Sequence, residues 1–276
     1  FAREVPVCWF SYGGWFSGLA EGLPSKHVEL RRRQVALGHH GGLDVARRIV
    51  EGKIRNCRTL LRRNSRDRPQ RVLDSLQRLA DDAGSVESTS SLLGIEGTAA
   101  RLYFSAFPSM LRDEAALPGG RFTFEGRNRR PPLDPVNCLL SYLYVLMVKD
   151  LTATAFSVGF DPYLGFFHRP RFGRPALALD LAEEFRPLVA DSVVLNVINN
   201  GEVHSSDFVV RGGGVALTTD GRRAVTAAYE RRLDVEVRHP TFGYRVNYRR
   251  VFEVQARVLA AHVLGEVPDY VPFMTR

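Results

Sequence analysis

Cysteine is scarce in this 276-residue chain: Cys8, Cys57 and Cys138 are the only three, and no two stand in C-x-x-C spacing. Neither a structural zinc site nor an iron–sulfur cluster is therefore signalled within it, and so few unpaired thiols fit an intracellular reducing compartment. Long apolar runs are missing too. The longest, roughly Val136 to Val148, spans about 13 residues and includes Asn137, whereas a membrane-spanning helix needs about 20. A buried helix is expected there. No G-x-S-x-G elbow occurs, and neither Gly-Lys-Ser, Gly-Lys-Thr nor G-x-G-x-x-G, so a Ser-His-Asp hydrolase, ATP and dinucleotides are not indicated. The N-terminal residues lack the order of a signal peptide. The chain opens on Phe1 without a methionine, which suggests the later part of a longer polypeptide.

Acidic residues are nearly absent from one segment. Between Arg31 and Arg71 thirteen Arg and Lys face three acids, a net of +10, while the rest of the chain nets −2. One block thus carries the whole excess, the electrostatic footprint of a polyanion partner. Within it, "LDVARRIVEGKIRNCRTLLRR" is the clearest amphipathic helix. Val45, Ile49, Val50, Ile54, Cys57, Leu60 and Leu61 share one side, and Arg47, Arg48, Arg55, Arg58 and Arg62 fall opposite. A solvated basic face is the plain reading, and phosphate contact the functional one, since arginine pairs bidentately with phosphate.

Elsewhere, "EVPVCWFSYGGWFSGLAEG" reads as a β-hairpin about Gly13-Gly14. Helical patterning begins after Pro24 and continues for most of the chain, placing a domain boundary near residues 22–26. "PQRVLDSLQRLADDAG" predicts a packing helix. Glu96 is expected at the start of another helix that runs to about Leu111, followed by a mobile loop rich in Gly, Pro and Arg. "PVNCLLSYLYVLMVKDLTATAF" predicts a long helix capped by Asp134 with Pro135 at its first position. A further long helix is expected from about Pro175, a hairpin about Gly212–Gly214, and helices over roughly Arg222–Leu233 and Tyr244–Leu264.

Metal-type ligands stand beside apolar sequence at three places: Glu96 in "GIEGTAARLYF", His168 in "GFFHRP", and Asp180, Glu183 and Glu184 in "DLAEEFRP". Residues three and four apart share a helix face, so Asp180 neighbours Glu183 and Glu184. A mixed nitrogen and oxygen set of this kind suits manganese or magnesium. Each residue also has a bland reading: an acid favoured by a helix dipole, a satisfied histidine, a solvated face. His39, His40, His204, His239 and His262 have no acidic companion at ligand spacing and are left out.

Taken in order, "KIRNCRTLLRR", "LLGIEGTAARLYFSAF", "RNRRPPLDPVNCLLSYLY", "GFDPYLGFFHRPRFGRPALALDLAEEFRP" and "DYVPFMTR" resemble the CRISPR-associated integrase family of spacer acquisition. The resemblance runs from about residue 4 to the end. It implies a mainly α fold: a small β-rich N-terminal domain, of which residues 1–25 would be the end, and a large α-helical catalytic domain over 26–276. It implies metal ligands at Glu96, His168 and Glu183, with Asp180 assisting, and Mg2+ or Mn2+ as the ion. Gly94 and Gly97 would leave room for metal and DNA backbone. Arg47, Arg48, Arg55, Arg58 and Arg62 would carry the incoming duplex, and Arg129 and Arg130, with Arg127, the target repeat; Arg101 and Arg186 would either touch phosphate or pair with the acids.

The implied reaction joins the 3′-hydroxyl ends of a prespacer duplex to the CRISPR repeat by transesterification, in the prokaryotic cytoplasm. The implied partners are double-stranded DNA, a second copy in a homodimer and a small second CRISPR adaptation protein; a fused or associated iron–sulfur nuclease occurs in some members. No membrane is involved. Cys57 stands where the family commonly has glutamine, a departure expected to touch packing, and the missing β strands would lie upstream of Phe1. Two other readings stay open: a metal-dependent structure-specific nuclease acting by hydrolysis, and a non-catalytic helical DNA-binding scaffold.

Overall fold

The computed structural model describes residues 7–10, 16–20, 27–39, 42–112, 122 and 124–275. Strands β1 (Val7–Phe10) and β2 (Phe16–Ala20) pair antiparallel, Val7 opposite Ala20, with an irregularity between Trp9 and Phe10. This is the expected hairpin, although its turn about Gly13-Gly14 and the boundary near residues 22–26 lie outside the described residues. Everything after it is dominated by helices, which makes the fold mainly α.

The helices follow as α1 (Val28–His39), α2 (Leu43–Asn64), α3 (Gln70–Ala83), α4 (Thr89–Ala106) and α5 (Pro135–Val158), then α6 (Ala176–Phe185), α7 (Ser192–Asn199), α8 (Thr219–Asp234) and α9 (Tyr248–Val263). The basic helix α2 is central and packs on α3, α4 and α6. Its apolar side is buried as the periodicity requires: Val45, Ile49, Val50, Ile54, Cys57, Leu60 and Leu61 all lie in the core. Helix α5 packs on α6 and α9. Asp134 caps it, accepting from the Asn137 N–H at 2.7 Å, with Pro135 at its first position. By length and composition α5 could cross a membrane, yet Val136, Leu139, Leu140, Leu143, Met147, Leu151 and Ala155 are buried in this fold.

Four expectations need correction. Helix α4 begins at Thr89, because Ser88 supplies a true N-cap, accepting from the Ser91 N–H at 3.1 Å, so Glu96 lies inside the helix. The long helix expected from Pro175 is interrupted: Arg186–Asp191 form a π-helical segment between α6 and α7. Pro187 has no N–H to continue the α ladder, and the wider register follows. Helix α9 starts at Tyr248, because Arg245–Asn247 (β6) pair with Glu236–Arg238 (β5). The expected hairpin about Gly212–Gly214 is present as β3 (Phe208–Arg211) and β4 (Gly214–Leu217).

The fourth concerns the loop before α5, which is tied down over its described part. Arg127 donates to Asn137 Oδ1 at 2.7 Å and Ser141 Oγ at 3.1 Å, and its guanidinium lies over the Tyr144 ring. Arg127 is therefore a brace and faces inward.

The C-terminal segment closes the core. Asn56 on α2 donates to the Glu184 and Phe273 carbonyls at 2.9 and 2.8 Å and accepts from the Thr275 N–H at 3.1 Å. Pro272 lies so close to Gly52 that a Cβ there would sit 2.6 Å from its ring. The Glu184 carboxylate accepts from Tyr270 Oη at 2.7 Å and from the Phe273 N–H at 2.6 Å. Burial raises the Glu184 carboxyl to about 7 even though these hydrogen bonds pull it down.

A carboxyl whose folded pKa exceeds its unfolded value holds its proton better when folded, so stability declines as pH rises between the two values. Wild-type protein is therefore expected to lose about 2–3 kcal/mol through this group between about pH 4.5 and 7. Glu184→Gln should flatten that part of a urea-unfolding pH profile, and an unchanged slope would show that Glu184 does not titrate there.

Candidate active site

Four elements bring their polar side chains to one place beside α2. Lys53, on α2, points between α4 and α6, where its ammonium ion-pairs with Glu96 Oε1 and Glu183 Oε2. Burial disfavours the Lys53 charge, but the Glu183 and Glu96 carboxylates outweigh it and raise its pKa above the ordinary value. Arg186, at the start of the π segment, reaches Glu183 Oε1 at 3.2 Å and lies over the Tyr144 ring at 4.4 Å. Glu183 is 3% exposed. Burial alone would raise its carboxyl, yet the charges of Arg186 and Lys53, with that of His168 whenever the imidazole is protonated, bring it down to about 2.

His168 is held by Asp180. The Phe166 and Phe167 N–H groups donate to Asp180 Oδ2 at 2.6 and 3.0 Å, the His168 N–H donates to Oδ1 at 2.8 Å, and imidazole Nδ1 lies 2.7 Å from the same oxygen. A carboxylate accepts, so Nδ1 carries a proton, and the lone pair of a neutral imidazole is then at Nε2. That Nε2 stands 3.8 Å from Glu183 Oε1. Asp180 itself is fully buried with both oxygens engaged. Its expected part as a further metal ligand is thus corrected to that of an anchor for the histidine. Gly165 makes the cradle possible, because a Cβ there would lie 2.8 Å from Asp180 Oδ2 and from the His168 carbonyl.

The residues expected as ligands, Glu96, His168 and Glu183, are therefore gathered from α4, the loop before α6, and α6. Among the described residues no three His, Cys, Asp or Glu side chains stand close enough to hold an ion. The chemistry of the set nevertheless fits a divalent cation. Two carboxylates already share one cation, an imidazole nitrogen is free beside them, and buried Glu183 Oε2 takes no hydrogen bond of good geometry.

Behind the site, Asp191 accepts from Tyr103 Oη at 2.9 Å and Tyr144 Oη at 2.8 Å. Burial raises the Asp191 carboxyl to about 6 against the pull of both tyrosines. Cys57, Lys53, Tyr103, Tyr144, Arg129, Arg186 and Asp191 line a cavity of about 20 Å³. Sequence reasoning missed Lys53, Asp191 and both tyrosines. Lys53 carried a signal, as the one lysine on an arginine-rich helix, set between buried Gly52 and Ile54.

The arginine stripe of α2 is largely spent within the protein. Arg47 donates to the Val86 carbonyl and pairs with Asp44, Arg58 donates to the Leu73 carbonyl, and Arg55 pairs with Glu51 and Asp81. Arg48 is exposed and pairs with Glu51, and Arg62 is exposed. The stripe is thus a mixed structural surface, with Arg48 and Arg62 its outward members. Arg129 and Arg130 are exposed near the site mouth, whereas Arg101 is exposed on α4 with no ion pair to either catalytic-type acid.

This architecture, a helical domain with a buried acid–histidine–lysine centre rimmed by arginine, belongs to a known class of CRISPR-associated proteins. The family described as "CRISPR associated protein Cas1" matches residues 1–231, and the chain belongs to it. It is 49% identical to a CRISPR-associated exonuclease Cas4/endonuclease Cas1 fusion of Geobacter sulfurreducens, covering 99% of this chain and 50% of that protein. It is 41% identical to a CRISPR-associated endonuclease Cas1 of Thermus thermophilus, covering 96% and 76%. The fold superposes on a Cas1 protein of Thermotoga maritima with a TM-score of 0.77 at 28% identity, covering 94% and 78%. The chain spans about half the length of the fused relatives it matches.

Gly94 and Gly97 flank Glu96 on exposed helix surface, and a Cβ at either would meet nothing within 4 Å. Internal packing does not require them. Gly97→Ala should therefore raise stability by roughly 0.5–1 kcal/mol in thermal unfolding, the helix-propensity difference. A loss of stability would reveal a packing constraint at that position.

Proposed function

We propose that this chain is a metal-dependent DNA integrase of CRISPR adaptation, joining the 3′-hydroxyl of a short duplex to a phosphodiester at the edge of a CRISPR repeat. The observation that carries the reading is Lys53 bridging Glu96 and Glu183 beside the free Nε2 of His168. Glu96, Glu183 and His168 Nε2 would hold Mg2+ or Mn2+. Such an ion, when bound, polarises the phosphoryl oxygen and stabilises the charge that develops in phosphoryl transfer.

The protein's own residues set the stage. Asp180 fixes the imidazole tautomer, Arg186 restrains Glu183, and Lys53 keeps the two carboxylates together before DNA arrives. Three carboxylates (Glu96, Glu183, Asp180) face two cations (Lys53, Arg186), a net of −1 with the imidazole neutral. One divalent ion and one phosphodiester would bring that to zero, so ion and DNA favour each other's binding. Exchange of one 3′-oxygen for another at phosphorus needs no external energy source.

Gly94 and Gly97 would give the DNA backbone its approach along α4, and exposed Arg48, Arg62, Arg129 and Arg130 would contact phosphates without reading sequence. A second copy and a small CRISPR adaptation protein are the proposed partners. A solved Cas6-RT-Cas1–Cas2 complex containing a similar fold, TM-score 0.79 at 25% identity, supports the small CRISPR protein as a partner. The exonuclease Cas4/endonuclease Cas1 fusions support an exonuclease working beside the chain; the same proposal gives that nuclease an iron–sulfur cluster and places both in the prokaryotic cytoplasm.

Relatives carrying the name endonuclease favour one second reading, in which water takes the place of the donor hydroxyl at the same centre. The test uses full-length protein with the small CRISPR protein, Mn2+, a supercoiled plasmid bearing the repeat, and a labelled short duplex ending in 3′-hydroxyl or dideoxynucleotide. Label is expected to join only from the hydroxyl duplex. Glu96→Ala and His168→Ala should each lower joining at least about 100-fold while duplex binding stays within about twofold, as for loss of a group acting on the transition state. Equal nicking with both ends and no label transfer would establish hydrolysis instead. Full joining by a folded Glu96→Ala protein would remove that residue from the centre.

A further inference from the structure

The two cations beside Glu183 are held in different ways. Lys53 ion-pairs with Glu96 Oε1 and Glu183 Oε2, so its ammonium stands between both acids. Arg186 reaches Glu183 alone of the pair, through Oε1 at 3.2 Å, and its guanidinium is laid over the Tyr144 ring at 4.4 Å. A planar guanidinium stacked on a ring is fixed in place, whereas an ammonium on a four-carbon stem can turn about every bond of that stem. Beside the stem lies the cavity of about 20 Å³, walled on α4 by the small Ala99 and Ala100 and on α2 by Cys57. It has room for a group the size of a water or an ammonium.

The place that the ammonium takes is also the place a divalent cation needs. Glu96 and Glu183 are two of the three groups that would hold it, and the third, His168 Nε2, stands 3.8 Å from Glu183 Oε1. With Lys53 between the acids, no three acid, imidazole or thiol side chains among the described residues are near enough to one another to hold an ion. An ammonium has only donors and a positive charge, so it satisfies two carboxylates but repels any other cation brought to the same oxygens. One cation must therefore leave when another arrives. Arg186 is pinned on its ring, and Lys53 has both the flexible stem and the space beside it.

We propose that Lys53 is a built-in stand-in for the divalent ion: its ammonium holds Glu96 and Glu183 in the ion-free protein and withdraws into the adjoining cavity on ion binding, which makes that binding wait for DNA. This rests on the metal-dependent reading above and adds the order of events at the centre. With Lys53 in place and the imidazole neutral the centre carries a net −1, and with a divalent ion alone it would carry +1. A phosphodiester restores neutrality, so the ion is held weakly without DNA and firmly with it. With a neutral side chain at position 53, the three carboxylates and Arg186 would net −2, which a divalent ion balances unaided. Lys53 is thus a positioning residue that sets the ion threshold, separate from the groups that act on phosphorus.

The test is Mn2+ binding by the full-length protein, followed through the electron paramagnetic resonance of the free ion, with and without a short blunt duplex. In wild-type protein the duplex should tighten Mn2+ binding about tenfold or more. Lys53→Met should tighten binding without DNA by about tenfold or more and leave the duplex an effect of no more than about threefold. Its ion-free form should melt below wild type and regain the difference with Mn2+, because Glu96 and Glu183 recover a shared cation. Lys53→Arg keeps the charge but grips carboxylates as a planar fork, so it should bind Mn2+ about tenfold more weakly than wild type without DNA. Equal Mn2+ affinity in all three proteins would overturn the proposal, as would weaker binding by Lys53→Met, which would make the lysine a fixed brace for the acids. Should Lys53→Met not fold, Lys53→Arg decides alone: affinity equal to or above wild type rejects the exchange. Because strand joining is a separate readout, a protein that shows this Mn2+ exchange and joins no DNA would sink the integrase reading and leave the role of Lys53 standing.

Discussion

The site depends on the ammonium of Lys53. Two carboxylates from different helices, one of them almost fully buried, would repel across a medium that screens poorly, and a single cation on α2 lets them share a place. Helix α2 can supply that cation because its apolar side already locks it against α3, α4 and α6. Core packing and electrostatics are thus one arrangement: the face that buries Ile54 and Cys57 aims Lys53 at the acids. Arg186 continues the pattern from the π segment, and its stacking on Tyr144 ties the acid pair to α5.

Local features of this fold were legible in the sequence, and distant ones were not. The buried side of α2 and the Asp134–Pro135 start of α5 follow from periodicity and capping within a few residues. Glu96 lies two turns inside α4 and not at its start, because the cap that sets the start is Ser88. Lys53 meets Glu96 across 43 residues of chain and Tyr103 meets Asp191 across 88, separations over which no spacing rule operates. The arginine stripe shows the same limit: a helical wheel sets Arg47, Arg55 and Arg58 outward, but α3 and the chain following it absorb them. That Glu96, His168 and Glu183 gather at one place was anticipated only through resemblance to the family.

The protein separates its cations into two populations. Lys53, Arg186 and Arg127 are turned inward, each committed to a carboxylate, an aromatic ring or an amide. Arg129, Arg130, Arg169 and Arg171 are turned outward with no carboxylate assigned to them among the described residues. The inner set holds the centre in shape without a bound ion, and the outer set leaves positive potential at its mouth, where a polyanion would be drawn. Asp180 keeps the boundary between the two, buried beneath the turn that carries the outer arginines while fixing the histidine that faces inward.

The docking of residues 270–275 has a consequence for how the molecule is made. Asn56 meets Phe273 and Thr275 across 217 and 219 residues of chain, and Glu184 receives Tyr270 and Phe273 from the same segment. During synthesis at about 5–20 residues per second, α2 and α6 wait many seconds for these partners. Until residues 270–275 leave the ribosome, the backbone of α6 beside Glu183 lacks its final clamp. Each new molecule would thus complete the clamp on its acid centre only after that segment has emerged.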